Sequence, residues 1–380
     1  QLPEHEIDGD RVVRIYLNVD YDYTENRIGA LAAHITNSEG ELKTDFQQTE
    51  AGYQTDPEPY EELEDETRDV HGEFITRYKT SEWSGDFDRD TAAEKELIQG
   101  FLHDLVDKIA SVAESEEARI HFYVWSSSEI ENLVEGCSRG GSQLLAHLQE
   151  LMGCREPTEQ LIYSTLREEI DSRFALGWTG RGLSVATSLN WFNDKYHWTR
   201  KVNGQTVRLD DVFTQDIFDF KTDLYLNDDG EWVPGKDAEE DEKYKFEVRS
   251  RFYDNLPAPY WHAVWGTLRN PEDASDQKLK NALERYQQAE APGLLRGYLR
   301  ARTQALRWIE EKVKYKNEDI GKPALAISDL RGFELDVTDV SEAAINFLLL
   351  DNHVETNEWL TSKMQPPIQR VPEGKTIPIQ

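Results

Sequence analysis

Apolar and polar positions alternate most strictly near the start of the chain. Val13, Ile15, Leu17 and Val19 interleave with Arg14, Tyr16, Asn18 and Asp20. Period two with β-branched residues is the pattern of a strand. It sets Asn18 and Asp20 on one face, with Asp22 following at the strand exit. Residues 28–36 predict a second strand. The turn signal Asn37-Ser38-Glu39-Gly40 and residues 41–48 predict a third, so the chain opens as three antiparallel strands. The period then changes. Leu97, Ile98, Phe101, Leu102, Leu105 and Ile109 fall at helical spacing behind a Thr91/Glu94 capping box, which predicts a helix over 91–113. Residues 119–125 form an apolar run expected to be a central fourth strand, and Ser126 to Ser128 start a helix reaching about Glu135. Helical periodicity returns over 142–152 and 159–175, and again from about 275, where Leu295, Tyr298, Leu299, Ala305, Leu306, Ile309 and Val313 make one apolar face. Asp339 with Glu342 caps a last predicted helix running to about Trp359. This order predicts an α/β protein, a mixed sheet flanked by helices, with a mainly helical C-terminal region.

Composition adds size and charge. Hydrophobic residues are 38% of 380, with ten Trp, enough for a real core. Two units are expected at this length: 1–230 carrying the sheet and an acidic insertion near 50–90, and a mainly helical 231–365. Residues 366–380 read as an extended linker. The insertion is densest in Glu, Asp and Pro over 50–72. The net charge of −32 is spread along the chain, and Arg outnumbers Lys. Such a surface fits a halophilic source or a basic partner. It opposes long-range attraction to nucleic acid without excluding a local basic groove. Cys137 and Cys154 make neither a disulfide framework nor a ligand motif. The chain has no apolar leader and no run long enough to span a membrane, so a cytoplasmic protein is expected. The start at Gln1 and the Pro-rich end are those expected of a piece of a longer polypeptide.

Carboxylates at a strand end suit a hard divalent cation, and they equally suit a solvated turn. Asp216 and Asp219 lie beside an apolar stripe, where a charge needs a partner or a metal; capping or solvent exposure is the commoner use. Between Trp178 and Lys201, the rings of Trp178, Trp191, Tyr196 and Trp198 alternate with Arg181, Lys195, Arg200 and Lys201. Stacking plus phosphate contact is how single strands of nucleic acid are held, and a Trp-rich core edge gives the same pattern. Two motif matches fail on context. Gly136-Cys-Ser138-Arg-Gly140 follows a helix instead of the strand a nucleophile elbow needs. Gly230 to Lys236 matches a phosphate loop until Asp237, where Ser or Thr should bind magnesium, so no nucleotide-binding loop is expected. No His pair has zinc-site spacing, and His121 on a strand reads as structural.

Ile-Tyr-Leu-Asn18-Val-Asp20-Tyr-Asp22 resembles the first motif of the ribonuclease-H-like exonucleases with four acidic ligands, in the branch associated with RecB-family nucleases. The helix with Glu94 and Glu96, the strand over 120–125 and the segment from Gly182 to Phe192 extend the resemblance. The runs Tyr298 to Trp308, Glu358-Trp-Leu and Arg370-Val-Pro-Glu-Gly-Lys are similar to the junction where such proteins pass into a superfamily 1 helicase. The resemblance implies a ribonuclease-H-like sheet and phosphodiester hydrolysis by Mg2+ or Mn2+. Asn18, Asp20 and Asp22 would be the metal ligands, with a further acid from Asp216 or Asp219. Arg181, Trp198, Arg200 and Lys201 would touch DNA, and a helicase module would lie in the same polypeptide or a partner chain. Three departures stand out: Asn18 replaces the first acid, Asp20 replaces a Glu, and Ser126-Ser127-Ser128 follows the central strand. The rival expectation is a catalytically inactive, DNA-guiding or protein-interaction scaffold for a helicase.

Overall fold

A computed structural model describes residues 2–38, 72–113, 117–154, 161–173, 256–275, 277–288 and 291–313, with shorter stretches elsewhere up to 331. Strand β1 is Asp10–Asp22 and β2 is Arg27–Thr36. They pair antiparallel, with Tyr16 opposite His34, Asn18 opposite Ala32 and Asp20 opposite Ala30. A bulge lies between Asp20 and Tyr21, where the register shifts. Strand β3, Gly72–Tyr78, pairs antiparallel with β2. Helix α1, Phe87–Val112, crosses to β4, Glu117–Val124, which runs parallel to β1. Helices α2, Ser127–Gly140, and α3, Ser142–Leu151, lead to β5, Tyr163–Thr165, parallel to β4. The principal strand order is β5–β4–β1–β2–β3, and two-residue strands extend the sheet. The sheet is therefore mixed and flanked by helices, as the order of elements predicts.

The two faces of β1 explain both cores. Val13, Ile15, Leu17 and Val19 point one way and pack with Ile98, Phe101, Leu102 and Leu105 of α1, Leu133 of α2 and Leu148 of α3. Tyr16, with Ala30 and Ala32 of β2, faces the other way. There it joins a core with helix α4, Leu166–Arg173, helix α5, Leu183–Ser188, helix α6, Ala258–Trp265, and helix α8, Ala291–Lys312. Helix α7, Gln277–Gln288, contributes Tyr286 to the same core. The apolar stripe of α8, with Leu295, Tyr298, Leu299, Leu306 and Ile309, is buried on this second face. The helix read in sequence as part of a C-terminal region thus completes the sheet's second layer.

Several boundaries differ from expectation for identifiable reasons. The third strand of the main sheet is β3, inside the region read as an acidic insertion; Phe74 and Ile75 are the apolar pair that holds it there. Residues 46–49 pair instead with 52–55 in a separate two-stranded sheet. Helix α1 starts at Phe87 behind an Asp86 cap, because Asp86 Oδ1 accepts from the Arg89 N–H at 3.0 Å. Thr91 and Glu94 are therefore interior, and both accept hydrogen bonds from Arg27. Ser126 and Glu129 form the capping box that starts α2. The stretch 159–175 divides into β5 and α4, since Tyr163 to Thr165 extend the sheet beside Phe122 to Val124. The last predicted helix and the linker 366–380 lie outside the described residues.

Candidate functional site

The polar face of β1 is buried, and that is the unusual feature of the protein. Arg14, Tyr16, Asn18 and Asp20 are each at most 1% exposed. A buried charge needs a partner, and these find theirs on α8. Arg14 Nη1 donates to Tyr16 Oη at 3.1 Å and lies 3.6 Å from Glu310 Oε2. Tyr16 Oη donates to the same Glu310 oxygen at 3.0 Å, and burial pushes its phenol up to about 12. One turn away, Arg307 Nε donates to Glu311 Oε1 at 2.6 Å, and Arg307 Nη1 lies 3.2 Å from His34 Nε2.

The strand end is built around Arg302. Its Nε donates to Asn18 Oδ1 at 2.5 Å, and its Nη1 donates to Tyr298 Oη at 3.2 Å. Arg302 is 2% exposed and occupies the middle of the α8 apolar stripe. A guanidinium has no acceptor, so the Asn18 amide must present its oxygen to it. Asp20 is completely buried, and its Oδ2 accepts from the Leu256 N–H at 2.7 Å. Burial is the main cause that raises the Asp20 carboxyl from 3.8 to about 7. The Arg302 charge, the Leu256 amide and the Trp261 indole oppose the rise, while the Asp22 charge adds to it. The Trp261 contribution is weak: neither Trp261 Nε1 nor Asp20 Oδ1 closes a hydrogen bond among the described residues.

Asp22 has a different job. Its Oδ1 accepts from the Thr24 N–H at 2.9 Å and the Glu25 N–H at 3.4 Å, which shapes the turn between β1 and β2. The place a divalent cation would need beside Asn18 is taken: Arg302 already holds the Asn18 oxygen. Mg2+ is held through one or two carboxylates with waters completing an octahedron, so their oxygens must be open at one point. Here the Asn18 oxygen is engaged by a cation, one Asp20 oxygen by an amide and one Asp22 oxygen by a turn. Among the described residues, no three His, Cys, Asp or Glu side chains are grouped to hold a metal ion.

Asp216 and Arg181 lie outside the described residues. Asp219 opens strand β8, Asp219–Leu226, opposite Arg249. Arg200 and Lys201 sit on β6, Thr199–Val202, which pairs with β7, Gln205–Arg208, in a separate antiparallel ribbon. The register puts Arg208 opposite Thr199, so three cations share this short ribbon. Trp198, expected to stack on bases, is 4% exposed in the core, and its Nε1 donates to Thr187 Oγ1 at 3.0 Å. A ring so enclosed offers no face to a base.

Sequence reasoning missed Arg302. The available signal was a charged residue at the centre of an apolar helical stripe, between Leu299 and Leu306. It also missed the use of Glu94 and Glu129. Glu94 is fully buried and accepts from Arg27 at 3.0 Å, from the Ile28 N–H at 2.8 Å and from Arg139 Nη2 at 2.7 Å. Glu129 accepts from the Trp125 and Ser126 N–H groups at 2.8 and 3.2 Å, so the acid nearest the end of β4 is spent on a helix cap. No helix among the described residues is long and apolar enough to cross a membrane. Comparison of the chain with protein-family models, curated proteins and solved structures returned no match.

Proposed function

We propose that the chain is a catalytically silent, ribonuclease-H-like module of a nuclease-helicase system, serving to guide DNA towards a helicase motor. The observation that carries this reading is the buried Arg302 guanidinium on Asn18, beside Asp20, at the strand end where the family's metal ligands would gather. A second cation at that point would be repelled by the first. The fold part of the reading draws support from strand order. Two antiparallel pairings from β3 to β1, then two parallel ones to β5, with β1 central, is the order of a ribonuclease-H-like sheet. The DNA part draws support from the ribbon of β6 and β7, whose Arg200, Lys201 and Arg208 concentrate positive charge in a chain of net charge −32.

The test is a paired assay with labelled single-stranded DNA and Mg2+ or Mn2+. The native chain and Asp20→Ala should show no difference in cleavage. Arg200→Ala with Lys201→Ala should weaken DNA binding and reduce the salt slope by about 1.4, roughly 0.7 for each phosphate contact to a single strand. Asp20-dependent cleavage refutes the silent reading. Unchanged affinity and slope refute the DNA-guiding role.

A further inference from the structure

We infer that Arg302 is a built-in replacement for a divalent cation, and that a metal site lies latent beneath it at the end of β1. The inference deepens the proposed function and rests on it only in taking this strand end as descended from a metal site.

The geometry is that of a ligand around a cation. The Asn18 amide turns its oxygen, not its nitrogen, to Arg302, as it would to a metal. Asp20 lies within the electrostatic reach of the same guanidinium and is completely buried, so no solvent shell stands in for the cation. Charge bookkeeping matches. Two acids facing a dication become one amide and one acid facing a monocation, so the number of acids and the charge of the cation fall together. Asn18 and Arg302 are therefore complementary departures: an Asp at 18 would set a second buried acid against one guanidinium, and Asn18 without Arg302 would leave its buried oxygen without this donor. Tyr298 fixes the replacement in place. Its hydroxyl accepts from Arg302 Nη1, and its ring lies 5.8 Å from the guanidinium carbon. A metal ion is held only by its ligands, whereas Arg302 is tethered to α8, so the replacement also binds that helix to β1.

The experiment counts bound Mn2+ by electron paramagnetic resonance of the full chain. The 74 acidic residues will bind Mn2+ weakly, so each measurement is a difference between proteins that differ only by Asp20→Asn. The native chain and Asp20→Asn should bind alike. Asn18→Asp with Arg302→Met should gain one equivalent of Mn2+ per chain, and adding Asp20→Asn should remove it. An Asp20-dependent site in the native chain overturns the inference. So does the absence of a gained site in a double variant that keeps its circular dichroism. Should the double variant unfold without metal, Mn2+ should restore its fold, and failure to do so also overturns the inference. DNA cleavage is a separate readout: cleavage by the native chain without an Asp20-dependent metal refutes the silent module and leaves the replacement standing.

Discussion

Replacing Asp20 by Asn should make the protein's stability less sensitive to pH, with a sign that distinguishes a buried acid from an ordinary ion pair. In the unfolded chain this carboxyl ionises near its ordinary 3.8, and in the folded chain near 7. Between those values the folded state holds a proton that the unfolded state has released. Stability therefore falls as pH rises, by about 1.4 kcal/mol per unit. Over roughly three units the loss amounts to about 4 kcal/mol, complete once the pH passes the folded value. The contribution is fully present below 3.8 and is lost as the pH climbs through about 7. Asn keeps an oxygen to accept the Leu256 N–H, so the variant should retain the contact at 2.7 Å and lose only the titration. Denaturant unfolding followed by Trp fluorescence, at a series of pH values spanning this window, gives the difference between native chain and variant. That difference should move in favour of the variant by about 4 kcal/mol from the acid to the alkaline end. Salt should change it little, because the group is buried beyond effective screening. A flat difference would refute the raised carboxyl. A difference of opposite sign, with the variant losing ground as pH rises, would mean that Arg302 holds Asp20 as a stable anion.

The same strand end depends on a close approach at Gly29. A Cβ there would sit 2.8 Å from Trp261 Cζ2, so Gly29→Ala should cost about 1–3 kcal/mol by overpacking against a ring that is 2% exposed. Thermal unfolding with an unchanged or raised midpoint would contradict this. On the opposite face, Glu94→Ala should cost about 3–5 kcal/mol, because it leaves Arg27 and Arg139 beside a cavity and the Ile28 N–H unmatched. A loss below about 1 kcal/mol in denaturant unfolding would show that the network is replaceable by water.

The first strand was legible because its period is two and its apolar half is mostly β-branched, and its partner Arg27–Thr36 was legible as a short, nearly continuous apolar run. The amphipathic helix α1 was legible from its stripe, although its start was not, since a Thr91/Glu94 spacing and an Asp86 cap both satisfy the local rules. Strand β3 was hidden by its neighbours: seven residues with two buried apolar side chains do not stand out from a run of acids. At the site, sequence located Asn18, Asp20 and Asp22 together but could not separate their tasks. Asp22 is a turn residue and Asp20 a buried acid, although they are two positions apart on one strand, because the bulge and the turn intervene.

What the sequence determines by itself is local. It tells which face of each element is apolar, and that Asn18, Asp20 and Asp22 lie together on one strand. The tertiary structure decides what meets that face. Asn18 and Arg302 are 284 positions apart, and no periodicity links them. Their contact exists because the apolar stripe of α8 must be buried, and the open face of the sheet buries it. Packing of the stripe carries an arginine in its middle onto the polar face of β1. A polar strand end that would otherwise face solvent is thereby closed by a cation from the protein itself.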